Sequence, residues 1–571
     1  MILNSLIPAW IRSYDRKDLK PDLMAGLTVG IMIIPQGMAY AILAGLPPIY
    51  GLYASTLPLI VYGILGTSRH LSVGPVAIDS LLTAASVGVF AMAGSQDYIN
   101  LAIMLALMVG IIQFSLGISR LGFLVKFLSF PVIQGFTAAA AIVICLSQLK
   151  TLLGIDMVSS QYLQVLALSL YYGIEQVHLP TLAMGIGGIL LLVSAKKYAP
   201  TLPAPLIIVT IAIIIVFIFD LDQYGVKIIG DIPSGLPTPS LPMINFNRMK
   251  DLLPSAAALA IIGFMESLAV ARAIQVKHKT YHINTHKELL TLGLVNVIGS
   301  IFKSFPVSGG FSRSAVNEEA GARTGVSSII SALLVIITLL FLTPLFYYLP
   351  NVILASIIIV AVSRLIQFEQ VEYMWRVDKR DFVMMMVTFF CTLFLGIGTG
   401  IGIGVFLSLV WIIFEASYPH HAELGRVPGT QSFRNIRRFK EVEVEEGTLI
   451  FRFDAPLFFA NADRFRNILL DYNSTRQKKL KAIIVDMESI NSIDTSGIDM
   501  LDNTIDEINN ADVLFLLAEV KGPVRDKLAR SGLTKKIGED KIFMSIQDSL
   551  QYVSNYTKDD SSQPILTSNR A

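Results

Sequence analysis

Charge is scarce in this chain, and that scarcity excludes the most. Only 15% of the 571 residues are Asp, Glu, Lys or Arg, while 53% are hydrophobic. Soluble globular domains carry about 25% charged residues. With a mean hydropathy of +0.62, the composition is that of a polytopic membrane protein. Cysteine is nearly missing too. Cys145 and Cys391 both fall in apolar runs, which excludes a disulfide framework and a thiolate metal site. The seven histidines show no metal-ligand spacing on a defined element, and His420-His421 reads as an interfacial linker. Arg12, Arg16, Lys17 and Lys20 precede the first apolar run, but no small-residue cleavage site follows it. No cleavable signal peptide is therefore expected. The net charge of +2 says nothing about partners, and no nucleic acid is expected among them. Gly396–Gly404 (GIGTGIGIG) superficially resembles a nucleotide loop. It lies between apolar spans and lacks the strand and soluble helix of that fingerprint, so close helix packing or a tight turn is the better reading. Nothing points to bond-making catalysis. The chain is not expected to be an enzyme, and no catalytic residue, metal or cofactor is expected.

What is present is a series of apolar runs. They fall near residues 22–45, 49–66, 100–118, 130–149, 178–195, 201–219, 253–274, 286–302, 326–348, 350–366, 381–399 and 401–418. Two short helices are added, one opening at Pro75 and one near 313–323, which gives about fourteen segments. The stretches 151–177 and 220–252 read as external loops. Basic residues place the other loops inside, at Arg120 and Lys126, Lys196 and Lys197, Lys277 and Lys279, Arg376, Lys379 and Arg380. Both termini are then cytoplasmic, in a multi-pass protein of the cell (inner or plasma) membrane. After Ser417 charge becomes frequent. Strands are predicted at Thr448–Phe453, Ala482–Val485 and Val513–Leu517, each followed by a helix, which makes a small α/β domain. The domain plan is a cytosolic segment at 1–20, a transport domain at 21–420, a linker at 421–439, the α/β domain at 440–556 and a disordered tail at 557–571. Within the transport domain, repeats span about 21–220 and 250–420.

The chemistry concentrates at Phe305–Thr324, FPVSGGFSRSAVNEEAGART. Ser308-Gly309-Gly310 cannot easily continue a helix, because each glycine costs about 1 kcal/mol relative to alanine. The residues from Ser312 onward can, so a helix N-terminus is expected there, with free N–H groups and partial positive charge. Arg313 adds a full positive charge, against the alternative of a snorkelling surface arginine. Ser312 and Ser314 could touch an anion or cap the helix, capping being the better reading for Ser314. Ser72-Val73-Gly74-Pro75 repeats the same grammar. Each short helix follows, at similar distance, a polar interruption of a span, at Pro35-Gln36 and at Glu266. An odd number of spans per half makes the second half inverted, and paired interrupted segments point to a transporter site at the midplane. Glu266 is the only acid of its span. It is either a coupling site or a salt bridge to Arg313 or Arg272. Gln36 and Tyr40, one turn apart, could line a ligand or glue helices. Asp79 could titrate, bind a cation, or complement its own helix N-terminus. In the C-terminal domain, Asn491 to Gly497 follows a strand and opens a helix. Asp494 reads as its cap, with a regulatory phosphosite as the alternative.

These residues resemble a known family. Pro47-Pro48-Ile49-Tyr50-Gly51-Leu52-Tyr53, Gly66-Thr67-Ser68-Arg69-His70 and Ser72 to Pro75 are similar to a signature of the sulfate permease (SulP) anion transporters. Gly310 to Asn317 with Ala320-Gly321 resembles a second signature, and Asp494-Thr495-Ser496-Gly497 resembles the loop of a STAS domain. The resemblance implies an α-helical membrane protein of fourteen segments in two inverted seven-segment repeats, divided into core and gate domains, with a cytosolic α/β STAS domain. It implies an anion held between the third and tenth segments and lined by Gln36, Tyr40, Ser312, Arg313 and the backbone of Val76 and Ala77. Glu266, with Asp79 a weaker candidate, would handle a coupling proton or cation. The core would move like an elevator against the gate, in a homodimer. Ser496 falls at the phosphorylated serine of stand-alone STAS proteins, which implies a cytosolic regulator. The expected function is secondary active transport of a small inorganic oxyanion, foremost proton-coupled sulfate uptake. The alternatives are sodium-coupled bicarbonate symport, or an exchanger or channel for chloride or dicarboxylates. H+ or Na+ is the coupling ion, and the partners are the anion and the lipid bilayer. Asp79 departs from the apolar residue the family pattern implies at its position.

Overall fold

The computed structural model describes residues 9–12, 14–122, 129–155, 162–198, 204–278, 281–475 and 480–560. Lys126, Lys279 and residues 561–571 of the expected tail lie outside these. The chain divides into two units, Met1–Ser408 and Leu409–Ala571.

In the first unit, α1 (Arg16–Leu43) is capped by Asp15, whose carboxylate accepts from the Lys17 N–H. Pro35 lies inside it, yet the helix runs on without the interruption expected at Pro35-Gln36. Proline frees one carbonyl, which neighbouring groups can re-satisfy inside a membrane bundle. α2 (Pro48–Tyr53) and α3 (Leu57–Leu65) share the second run. β1 (Val73–Gly74) leads into the short α4 (Ala77–Val87). Then come α5 (Gln96–Ile118) and α6 (Phe130–Leu153). α7 (Leu163–Gly173) occupies the stretch expected to be an outer loop, and the chain bends by 120° into α8 (Leu179–Tyr198). α9 (Ala204–Phe219) ends this half.

α10 (Phe246–Lys277) starts before the expected residue 253, because the Asn245 side chain caps it by accepting from the Arg248 N–H. It too passes unbroken through Glu266. α11 (Thr285–Ile301), β2 (Ser308–Gly309) and α12 (Phe311–Glu319) follow, then α13 (Val326–Ile337), which widens into a π turn and then tightens into a 3-10 turn ending at Phe346. α14 (Asn351–Val362), the unforeseen α15 (Phe368–Val377), α16 (Lys379–Leu395) and α17 (Ile397–Ser417) complete the series. Among the described residues, seven helices are long and apolar enough to cross a membrane, and α4, α9 and α14 are shorter apolar helices.

Packing is closest where glycines let backbones meet. A Cβ on Gly110 of α5 would lie 2.8 Å from the Gly293 carbonyl of α11, and one on Gly51 would run into the Gly37 carbonyl of α1. The second approach fixes α2 against α1 beside Gln36. The glycines of Gly396–Gly404 divide the two roles expected of them. Gly396 (φ 93) turns the chain between α16 and α17, and Gly404 faces Val132 and Thr388 closely.

The second unit holds a six-stranded sheet, ordered β4-β3-β5-β6-β7-β8. Its strands are β3 (His421–Arg426), β4 (Phe433–Asn435), β5 (Thr448–Phe453), β6 (Ala482–Asp486), β7 (Leu514–Ala518) and β8 (Ile542–Phe543). β5 to β8 are parallel, while β3 runs antiparallel to β4 and β5. The stretch 421–439, expected to be a linker, is thus part of the sheet: Ala422 and Leu424 bury against its outer face. α18 (Ala462–Thr475), α19 (Thr495–Asn510) and α20 (Gly522–Arg530) follow β5, β6 and β7. The final helix, Ile546–Asp560, continues through residues 557–560, which were expected in the tail.

Asp486 ends β6 with 3% of its surface exposed, close to Glu488 and Glu519. Burial, with the two glutamates adding to it, pushes its carboxyl from 3.8 up to about 6. The folded chain therefore holds this proton more tightly than the unfolded chain. Its contribution to stability is full below about pH 4, falls as pH rises to about 6, and stays lost above that. Asp486→Asn keeps an acceptor for the Glu488 N–H, now at 3.0 Å. It is expected to stabilise this domain at neutral pH by about 1–3 kcal/mol, since each pKa unit is about 1.4 kcal/mol. Amide exchange of β6 in the full-length protein should slow relative to wild type at pH 7 and match it at low pH.

Candidate functional site

β1 and β2 pair antiparallel, Val73 opposite Gly309 and Gly74 opposite Ser308. A ladder of two residues is far too short to hold itself, so side chains pin it. Ser267 Oγ accepts from the Gly309 N–H at 2.7 Å. Ser314 Oγ accepts from the Ser72 N–H at 2.9 Å and donates to the Gly310 carbonyl at 2.7 Å. Ser314 is thus a tie between the two lead-in segments, not the expected helix cap. Asn296 grips Val307 at both ends, accepting from its N–H at 2.9 Å and donating to its carbonyl at 3.1 Å. Gln113 accepts from Asn296 and donates to the Ala260 carbonyl, which links α5, α11 and α10.

Two buried carboxylates hold the flanking loops. Glu288 accepts from Tyr62 Oη at 2.8 Å and from the Thr67 and Ser68 N–H groups at 2.7 and 3.0 Å. Asp22 accepts from the Arg323 and Thr324 N–H groups at 2.7 and 3.0 Å. Sequence reading missed Gln113, Asn296, Asp22 and Glu288 as parts of this frame. Gln113 and Asn296 each stand as a polar residue in an apolar run, whereas Asp22 and Glu288 lie in charged stretches that hide them.

The frame sets two helix starts beside each other. The residues preceding α4 and α12, Val76 and Gly310, provide no side-chain cap. Their first-turn N–H groups keep their partial positive charge. Arg313, in the first turn of α12, is 2% exposed, and its Nη1 donates to the Pro75 carbonyl at 2.6 Å. Its Nε and Nη2 are buried and have no partner. A buried guanidinium with two idle donors is costly unless something else occupies them. An oxyanion that offers two acceptor oxygens suits that fork.

Tyr40, buried on α1, and Glu266, on α10, are neighbours of Arg313. Glu266 makes no ion pair with Arg313 or Arg272 among the described residues, and its Oε2 is buried without a partner. Arg272 instead donates to Thr285. The salt-bridge alternative for Glu266 is thereby set aside. Asp79 is 2% exposed, and its Oδ1 has no partner either. Gln36 is buried one turn before Tyr40. Val76 and Ala77 form the start of α4, next to the Pro75 carbonyl. Ser312 and Phe311 are exposed at the start of α12. Ser496 lies in the other unit, exposed in the first turn of α19, which Asp494 caps by accepting from the Gly497 N–H at 2.8 Å.

Comparison with known proteins identifies the family. Residues 19–388 match the family described as the sulfate permease family, and residues 439–549 match the STAS domain. The chain is 39% identical over 576 residues to sulfate transporter 4.1, chloroplastic, of Arabidopsis thaliana, covering 97% of this chain and 84% of that one. It is 35% identical over 540 residues to a probable sulfate transporter of Mycobacterium tuberculosis, covering 95% and 96%. Among solved structures it resembles the murine Solute Carrier 26 family member A9 anion transporter in the inward-facing state. That match has TM-score 0.90 and 27% identity, and covers 97% of this chain and 95% of the other. It shares the fold of the transmembrane domain of the cyanobacterial bicarbonate transporter BicA, with TM-score 0.60 and 21% identity over 71% of this chain and 99% of that one.

Proposed function

Since this chain belongs to the sulfate permease family and carries a STAS domain, we propose that it is a proton-coupled sulfate transporter. It is a multi-pass membrane anion transporter and not an enzyme. The observation that carries the finer reading is Arg313, buried between two uncapped helix starts with two donors idle. Sulfate offers several acceptor oxygens and two charges to those donors. Gln36, Tyr40 and the backbone of Val76 and Ala77 supply the walls and further N–H groups, with Ser312 at the exposed side. The sulfate transporters among its relatives support this choice of anion. Glu266, half-buried with its Oε2 inaccessible and without a partner, supports coupling, because a charged carboxylate at membrane depth is costly.

The remaining parts of the reading follow from the family. The segments form two inverted repeats of seven, a core moves against a gate in a homodimer, and both termini face the cytoplasm of a cell membrane. Exposed Ser496 serves as the phosphosite through which a cytosolic regulator acts on the STAS domain.

The test is uptake of labelled sulfate into proteoliposomes holding the purified protein. An inward proton gradient is expected to drive accumulation, and an inward sodium gradient is not. Sodium-driven bicarbonate uptake without sulfate uptake would overturn the reading.

A further inference from the structure

We infer that Asp79 is a second proton-carrying carboxyl of the anion site, which makes uptake of a doubly charged oxyanion electrically neutral. The inference rests on the proposed proton-coupled reading and deepens it. Asp79 sits in the first turn of α4, where a carboxylate could turn back to cap the helix, but no side chain caps α4. It faces α10 instead. A Cβ on Gly263 would stand 3.5 Å from both Asp79 oxygens and 3.2 Å from Ser308 Cβ. The oxygens therefore lie against the glycine one turn before Glu266. Asp79 Oδ1, Ser308 Oγ and Ser80 Oγ are all buried, with the Ser308 hydroxyl facing the Asp79 carboxyl.

The charged and titratable groups around it are few. α10 brings Glu266, and α12 brings Arg313. α1 brings Tyr40. α5 and α6 also pack on α4. On α5, Asp97 is exposed and Tyr98 donates to the Ala44 carbonyl. On α6, Cys145 and Lys150 lie in the last turns.

The charge balance then follows. With a dianion bound and both carboxyls protonated, Arg313 leaves the site with a single negative charge. With no anion and both carboxyls ionised, the site again carries a single negative charge. The loaded and empty forms therefore cross the membrane with equal charge. With Glu266 alone, the loaded site would carry one negative charge and the empty site none. Each cycle takes two protons from one side with the dianion and releases all three on the other.

Two measurements test this. Infrared difference spectra of the purified full-length protein, titrated with acid and no anion, should show two buried carboxyl C=O bands. Asp79→Asn should remove one and Glu266→Gln the other. Absence of a band belonging to Asp79 overturns the inference, whatever anion is carried. In proteoliposomes with clamped potential, sulfate accumulation by wild type should not respond to voltage. Asp79→Asn should make it rise about tenfold per 59 mV of inside-positive potential. A wild-type protein that already shows that response overturns the inference without needing a folded variant. Failure of sulfate uptake would count against the proposed substrate and leave the infrared result to decide Asp79.

Discussion

Arg313→Ala is expected to lower sulfate binding and uptake by about a hundredfold or more. Removing one partner of a buried charged contact costs about 2–5 kcal/mol, and each 1.4 kcal/mol is tenfold. Two effects combine here. The anion loses the donors Nε and Nη2, and the Pro75 carbonyl loses the Nη1 that meets it at 2.6 Å. Arg313→Lys separates charge from shape. Lysine keeps the positive charge but is a point donor, so it cannot hold Pro75 and fork onto an anion together. It is expected to recover only a small part of the loss. Binding titrations on monodisperse protein, with uptake alongside, provide the readout. An alanine variant within a few-fold of wild type would sink the assignment of Arg313 to the anion.

Glu266→Gln is expected to separate accumulation from movement. Glutamine mimics the protonated acid, so the site can still load, cross and exchange labelled for unlabelled sulfate. Accumulation against a gradient should fall by at least about tenfold for each unit of pH difference. One exchangeable proton contributes that factor, since a pH unit is worth about 1.4 kcal/mol per proton. Counterflow and net uptake from the same preparation make the comparison. Loss of both would show Glu266 to be structural, and retention of both would show that it carries no proton.

Both variants fall on residues the sequence marked out, and the reason is local. Glycines before Ser312, an arginine at a helix start and a lone acid in an apolar span are short-range signals. The strands behave likewise in β5, a short apolar run that begins and ends at Thr448 and Phe453 as expected. What was not legible depends on distant partners. Ser314 looks like a cap until Ser72, 242 positions earlier, is seen to donate to it. Asn296 carries no sequence signal of its role, because Val307 has to fold back onto it. Pro35 looks like a break, but its helix is held by α13, where Ser331 donates to the Gly26 carbonyl at 2.8 Å. β3 was hidden because its pairing with β5 lies across a polar stretch that resembles a linker.

The pairing of Val73 with Gly309 also bears on how the protein is made. β1 emerges from the ribosome long before β2, and β2 is its only strand partner among the described residues. Until then Asp79 waits in the bilayer with neither its site nor Arg313 in place. Contacts so distant in sequence form late, because a long loop must close before they can repay its entropy. The first half must therefore persist during translation as an inserted but unfinished bundle that holds an unpaired acid. Chains halted before residue 308 should be the species that membrane quality-control proteases remove.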